Sequence, residues 1–207
     1  MPRGLTGKKP VCWRLDMLLV LRRSIVSLLL MVVITGVIYP LVVTAIGHVA
    51  FPHRSHGNLI VRDGRIVGSE LIGQPFDSPK YFWSRPSATD PVPYNAGAST
   101  GSNLGPSNPK LVQAVRERVA KLRAADPNNS LPIPVDLVTT SGSGLEPYIS
   151  PAAAQYQASR VARARGLSVE QVQQLIRANT WGRQGGFLGQ PRTNVVTLNL
   201  ALDRLSP

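Results

Sequence analysis

The 207-residue chain has one cysteine, Cys12, and three histidines, His48, His53 and His56. A lone cysteine excludes an intramolecular disulfide and any multi-cysteine metal site. From residue 57 onward there is neither His nor Cys, which removes Ser–His and Cys–His catalysis and zinc chemistry from that stretch. Acidic residues are scarce as well, 11 against 23 Lys plus Arg, for a net charge of +12. Residues 24–53 carry no Asp, Glu, Lys or Arg at all. There is no phosphate-binding P-loop, because the one Gly-Lys step, Gly7-Lys8, lacks both the upstream spacing and the following Ser/Thr. The aspartyl-phosphate motif of an ion pump is missing too. One long uncharged run, and no second, argues against a wholly soluble protein and against a multi-span transporter.

That run is the clearest positive signal. Residues 25–46 number 22, of which 17 are apolar. As a helix they reach roughly 33 Å, about one hydrocarbon core. Residues 1–23 hold six basic groups and one acid, Asp16, with Arg22 and Arg23 at the near edge of the run. The positive-inside rule then makes residues 1–23 a cytoplasmic tail, 24–51 a transmembrane anchor and 52–207 an extracytoplasmic domain. A cleaved signal peptide is the competing reading, with a small-residue step at Ala45-Ile46-Gly47, but signal h-regions run only about 7–15 residues. Pro40 lies inside the span and removes one backbone donor. Gly36, Pro40 and Thr44 recur every four residues, so they share a small-residue face on which another helix can dock.

The remainder predicts an α+β domain. Residues 58–72 read as a hairpin about Asp63-Gly64, a pair suited to a type I′ turn. Residues 73–109 contain four Gly, seven Pro, six Ser and three Asn, interleaved with Tyr81, Phe82, Trp83 and Tyr94. This composition predicts an irregular loop pinned by its aromatics, suited either to binding or to closing the domain's own core. Asn108 and Pro109 open a helix that ends at Asp126-Pro127. Its basic residues lack interleaved aromatics and read as a solvated face, so no nucleic-acid partner is expected. Residues 134–140 suit a short buried strand. Ser150 and Pro151 start a second helix ending at Gly166, and Ser168-Val169-Glu170-Gln171 is a capping box opening a third helix to about Asn179. Residues 194–205 fit both periodicities, with the alternation of Val196, Leu198, Leu200 and Leu202 favouring a strand.

Three chemical constellations are conceivable. The Gly-rich segments 97–105 and 141–144 could turn backbone donors toward an anion. A membrane-anchored Ser–Lys hydrolase would use Ser102 or Ser143 with Lys80, Lys110 or Lys121. Asp136 and Glu146 could form a glycosidase carboxylate pair. The spacing of these residues demands none of the three.

Longer blocks are more telling. TGVIYPLVVT (35–44), GSELIGQPF (68–76), YFWSRPSA (81–88) and ASTGSNLGPSNP (98–109) occur in one order, followed by PVDLVTTSGSGLEPYISPAAAQYQASRVARARGLS (134–168) and GFLGQPRTNVVTLNLALD (186–203). Across residues 24–205 the chain closely resembles the C-subunit family of bacterial Kdp-type potassium-transporting ATPases. Glu146 stands where the family usually has Asp, and Gln190 where it usually has Glu. The resemblance implies a non-catalytic subunit that binds no cofactor or metal of its own, with ATP and potassium handled by the complex. It also implies three partners: a channel-like potassium-binding subunit, a P-type ATPase subunit and a small single-span subunit. It further implies a role in assembly, and a chaperone-like increase in the pump subunit's affinity for ATP. With the domain across the membrane from cytoplasmic ATP, that increase must come through conformational coupling. Tyr81, Phe82, Arg85, Ser102, Asn103, Leu104, Ser143 and Glu146 are the expected partner-interface residues.

Overall fold

The computed structural model describes residues 11–205; residues 1–10 of the expected cytoplasmic tail lie outside them. The chain divides after His56 into two compact units, each described by itself.

The first unit is helical. α1 (Val11–Val33) runs into a π-helical turn (Ile34–Ile38), then α2 (Tyr39–Ala50) and the single turn α3 (Pro52–Ser55). Met17–Ala50 contains an 18-residue stretch of mean hydropathy 2.6 that is not buried, so it is long and apolar enough to cross a membrane. The π turn is the fold's response to Pro40. A proline inside an α-helix loses its own N–H and clashes with the carbonyl four residues back. Here the turn before it widens, and the Tyr39 N–H reaches back five residues to the Ile34 carbonyl. Thr35 Oγ1 donates to the Met31 carbonyl at 2.7 Å, giving that carbonyl a further partner beside the irregularity.

The second unit opens with the hairpin β1 (Leu59–Arg62) and β2 (Arg65–Ser69). Asp63 and Gly64 both have positive φ, 51° and 72°, as a type I′ turn requires. The irregular segment follows, and then α4 (Pro109–Ala125), with the Asn108 side chain accepting from the Lys110 N–H. β3 (Tyr148–Ile149), α5 (Pro151–Arg165), α6 (Val169–Ala178), β4 (Thr180–Trp181), β5 (Arg192–Asn194) and α7 (Val195–Leu205) complete the unit. The small sheet has the order β3-β5-β4, all antiparallel, with Thr193 opposite both Ile149 and Thr180. The Ser168–Gln171 capping box is present with both of its hydrogen bonds. The fold is therefore one membrane-competent helix followed by a mixed domain of helices and a small sheet.

Two expected strands are not strands. Residues 134–140 instead form a 3-10 turn over Val135–Leu137. The Leu137 and Val138 amides bond back to Pro134 and Val135, while Asp136 turns its carboxylate to the Ser150 amide and hydroxyl at 2.7 and 3.2 Å. Apolar burial of Leu137 and Val138 mimicked a strand signal. Residues 195–205 are the helix α7. Asn194 caps it, its Oδ1 accepting from the Val196 and Thr197 amides. The buried stripe is Val195, Leu198, Asn199 and Leu202, a helical spacing that outweighs the alternation.

The core gathers Ala153, Ala154, Ala158, Val161 and Ala162 of α5, Val172 and Ile176 of α6, and Leu198 and Leu202 of α7 around Phe82 and Trp83. Phe82 and Trp83 lie on irregular backbone with no strand beside it, so its amides need other partners. Side chains supply them. Asn199 accepts from the Phe82 N–H at 2.9 Å and donates to the Phe82 carbonyl at 3.0 Å. Gln157 does the same for Trp83, at 2.8 and 3.2 Å. Arg160 Nη1 donates to the carbonyls of Pro79 and Tyr81, and its guanidinium lies 4.4 Å from the Trp83 ring centroid. Asn199→Leu leaves the Phe82 N–H and carbonyl buried without partners, which costs about 2–4 kcal/mol. Urea unfolding followed by tryptophan fluorescence should read that loss, and an unchanged midpoint would show that the clamp contributes nothing.

Candidate interaction surface

The irregular segment folds onto the 139–146 stretch through bonds in which most polar groups face inward. Gly73 donates its N–H to the Leu145 carbonyl at 2.9 Å, and a Cβ there would overlap the Tyr94 ring. Arg85 Nε and Nη2 each donate, at 3.2 Å, to the carbonyls of Thr139 and Thr140. Ser87 Oγ donates to the Gly144 carbonyl at 2.7 Å. The Thr100 N–H and Ser99 Oγ both reach the Ser143 carbonyl at 3.0 Å. Gly144 sits at φ 68°, where a Cβ would come within 2.5 Å of the Thr100 carbonyl, so glycine is needed there for both conformation and space.

These contacts locate the sequence candidates. Arg85, Ser102, Leu104, Ser143 and Glu146 are half-buried and Asn103 is exposed. Arg85 and Glu146 line one open groove of about 520 Å³ with Asp136, Tyr148 and Arg192. Phe82 is fully buried in the core, and Tyr81 donates its hydroxyl to Asp203 Oδ2 at 3.1 Å. Burial, then that hydrogen bond, raises the Tyr81 phenol above its ordinary value. Gly36, Pro40 and Thr44 lie in the first unit, exposed, and a Cβ on Gly36 would meet nothing within 4 Å.

A second recess of about 310 Å³ is lined by Phe76, Trp83, Pro86, Tyr94, Arg118 and Lys121 among others. Lys121 is paired with Asp77 at 2.5 Å and lies 5.0 Å from the Trp83 ring centroid, an exposed ion pair of small energetic value. Arg118 donates to the Val138 carbonyl at 2.8 Å.

The three chemical constellations fare poorly against these bonds. The amides of Gly144 and Leu145 bond to Ser141 Oγ and Ser143 Oγ, so the Gly-rich segment turns these donors inward and not toward an anion. Among the described residues, Ser143 is bonded within its own loop and Lys121 to Asp77, with no Ser–Lys hydrogen bond. Asp136 is engaged by Ser150, leaving Glu146 without a free carboxylate partner in the groove. Among the described residues no group of three His, Cys, Asp or Glu could hold a metal. The arrangement suits binding better than acid–base chemistry.

Sequence reasoning overlooks Gln157, Asn194 and Asn199, and reads Arg160 only as part of a basic stripe, with Arg163 and Arg165, that favours the helix dipole. Gln157, Arg160, Asn194 and Asn199 are all buried, and they hold the backbone of the irregular segment and the Glu70 carbonyl. The available signal was a polar residue within an otherwise apolar helical stripe, as at Gln157 and Arg160 beside Ala153, Ala154 and Val161.

A membrane-competent helix carrying one small mixed domain, whose polar groups are largely committed to its own loops, is the layout of an interaction protein. The family model described as K+-transporting ATPase, c chain, matches residues 21–204. The chain is 60% identical to the potassium-transporting ATPase KdpC subunit of Methylococcus capsulatus over 182 residues, 88% of this chain and 96% of that protein. It is 60% identical to the subunit of the same name from Sorangium cellulosum and 62% identical to that from Methylibium petroleiphilum, each over 90% of this chain and 98% of the relative. The chain therefore belongs to the K+-transporting ATPase c-chain family.

Tyr94 gives the folded segment a pH signature. Its hydroxyl donates to the Arg85 carbonyl, and burial pushes the phenol up to about 12. The unfolded chain loses this proton near pH 10 and the folded chain keeps it. The associated stability is complete below pH 10 and is lost as the pH rises from 10 to about 12. Burial pulls Arg160 down to about 10, and that group acts in the opposite sense over the same range. Comparing wild type with Tyr94→Phe isolates the tyrosine: the variant should lose stability less steeply between pH 10 and 12 in urea titrations at fixed pH. Parallel profiles would mean that Tyr94 is not held protonated by the fold.

Proposed function

We propose that the chain is the accessory subunit of an ATP-driven potassium-uptake complex, anchored by Met17–Ala50 with the domain from residue 57 on the extracytoplasmic side. It assembles and stabilises a channel-like potassium-binding subunit, a P-type ATPase subunit and a small single-span subunit. Potassium selection and ATP hydrolysis reside in those partners. The observation that carries the reading is the family match along residues 21–204, supported by relatives with about 60% identity named potassium-transporting ATPase KdpC subunit.

The charge asymmetry favours a cytoplasmic N-terminus. A domain on the far side cannot touch cytoplasmic nucleotide, so any rise in ATP affinity comes from contacts that differ between two states of the partners. The helix docks through Gly36, Pro40 and Thr44, where the space beside Gly36 would let a neighbouring backbone approach. Ser102, Asn103, Leu104, Ser143 and Glu146, with Arg85, are the candidate contacts of the domain.

Affinity purification of the tagged chain from potassium-starved cells in mild detergent tests the assignment by mass spectrometry of what copurifies. A P-type ATPase and a multi-span channel-like protein should appear. Their absence while both are expressed would overturn it. Gly36→Leu should reduce recovery of those partners several-fold and leave the domain folded. Photolabelling the purified complex with azido-ATP should mark the ATPase subunit alone; label on this chain would reverse the orientation.

A further inference from the structure

The connection between β4 and β5 carries the most exposed large apolar side chain of the domain, Phe187. Every residue from 181 to 191 is exposed. Trp181 is 46%, Phe187 72% and Leu188 56% accessible. Such a patch on a small domain marks a place where something else covers it.

Three observations indicate what the cover is. First, the tip pairs part of its own backbone. Gln184 and Leu188 exchange both hydrogen bonds, at 2.9 and 3.0 Å, while the Gly186 and Phe187 amides bond to the carbonyls of Arg183 and Gln184. Pairing these four amides lowers the cost of bringing the tip to the edge of an apolar phase. Second, its base is held in place. The Arg192 guanidinium lies 4.6 Å from the Tyr148 ring centroid and 5.7 Å from that of Trp181, and Trp181 pairs with Arg192 in the sheet. Third, residues 171–202 contain no acid but include Arg177, Arg183 and Arg192, a charge suited to an anionic surface. Only six residues separate Ala50 from Gly57. They bound the tether to roughly 25 Å, so a bilayer holding the helix is always close to the domain.

We propose that this hairpin is a second membrane contact. Phe187 and Leu188 enter the interfacial region of an anionic bilayer, and Trp181 and Arg183 lie at headgroup level. The proposal rests on the helix being anchored in a bilayer.

The test uses the full chain with Cys12→Ser and Phe187→Cys, labelled with nitrobenzoxadiazole, in nanodiscs of phosphatidylethanolamine and phosphatidylglycerol. Ser159→Cys, at an exposed position on α5, is the reference. Doxyl-labelled lipid should quench position 187 at least threefold more than position 159. Adding Leu188→Glu, or replacing the lipid with pure phosphatidylcholine, should remove more than half of that difference. Equal quenching at 187 and 159 in chain that has entered the nanodisc overturns the proposal. So does protection of 187 that needs the partner subunits and shows no lipid quenching, which would make the hairpin a protein contact. Failure of the chain to enter nanodiscs overturns the anchor reading, and the proposal with it.

Discussion

A buried stretch of irregular backbone with no strand beside it is the constraint on which the domain depends. From the exposed turn at residues 79–80 the chain enters the core at Phe82 and Trp83, whose amides and carbonyls are buried with them. Leaving them unpaired would cost more than burying the Phe82 and Trp83 rings gains. Gln157, Asn199 and Arg160 remove that cost by offering side-chain amide and guanidinium groups where a neighbouring strand would have offered backbone. Arg160 also bonds to Gln157 Oε1 at 2.6 Å, which fixes the orientation of that amide. α5 and α7 are thus joined through the segment between them, and the loops that follow it are positioned by that union.

The same economy explains the charge of the domain. Arg85, Arg118, Arg160 and Arg165 donate to backbone carbonyls of residues 139–140, 138, 79 and 81, and 80. Arg165 also bonds to Asp203 at 2.7 Å, and Arg163 to the buried Asp126. Arginine suits this duty because its donors are splayed in a plane and it keeps its charge. Much of the excess positive charge therefore serves as internal scaffolding for irregular backbone. A count of Lys and Arg cannot distinguish that use from a surface prepared for anions.

Local signals in the sequence were legible where a few neighbouring residues decide the outcome. The Asp63-Gly64 turn, the Asn108-Pro109 start of α4, the Ser150 cap of α5 and the Ser168 capping box all depend on chemistry within about four residues. So does the apolar run of the first unit. Residues 134–140 and 194–205 were misread because their deciding partners lie elsewhere: Asp136 answers to Ser150, and α7 is selected by its packing against a core assembled from distant helices. The clamp was harder still. Gln157 and Asn199 look like blemishes in apolar stripes until Phe82 and Trp83, separated from them by 74 and 117 positions, are placed between them. The interface candidates divided for the same reason. Phe82 was singled out as an aromatic in a loop, and the fold uses it as core.

The π turn ahead of Pro40 has a geometric consequence for the anchor. Widening one turn inserts, in effect, one extra residue into the helical spiral, and each residue advances an α-helix by about 100°. The stripes of side chains on α1 and on α2 are therefore out of phase by roughly that angle. The surface of the anchor thus turns partway along its length, at a single proline.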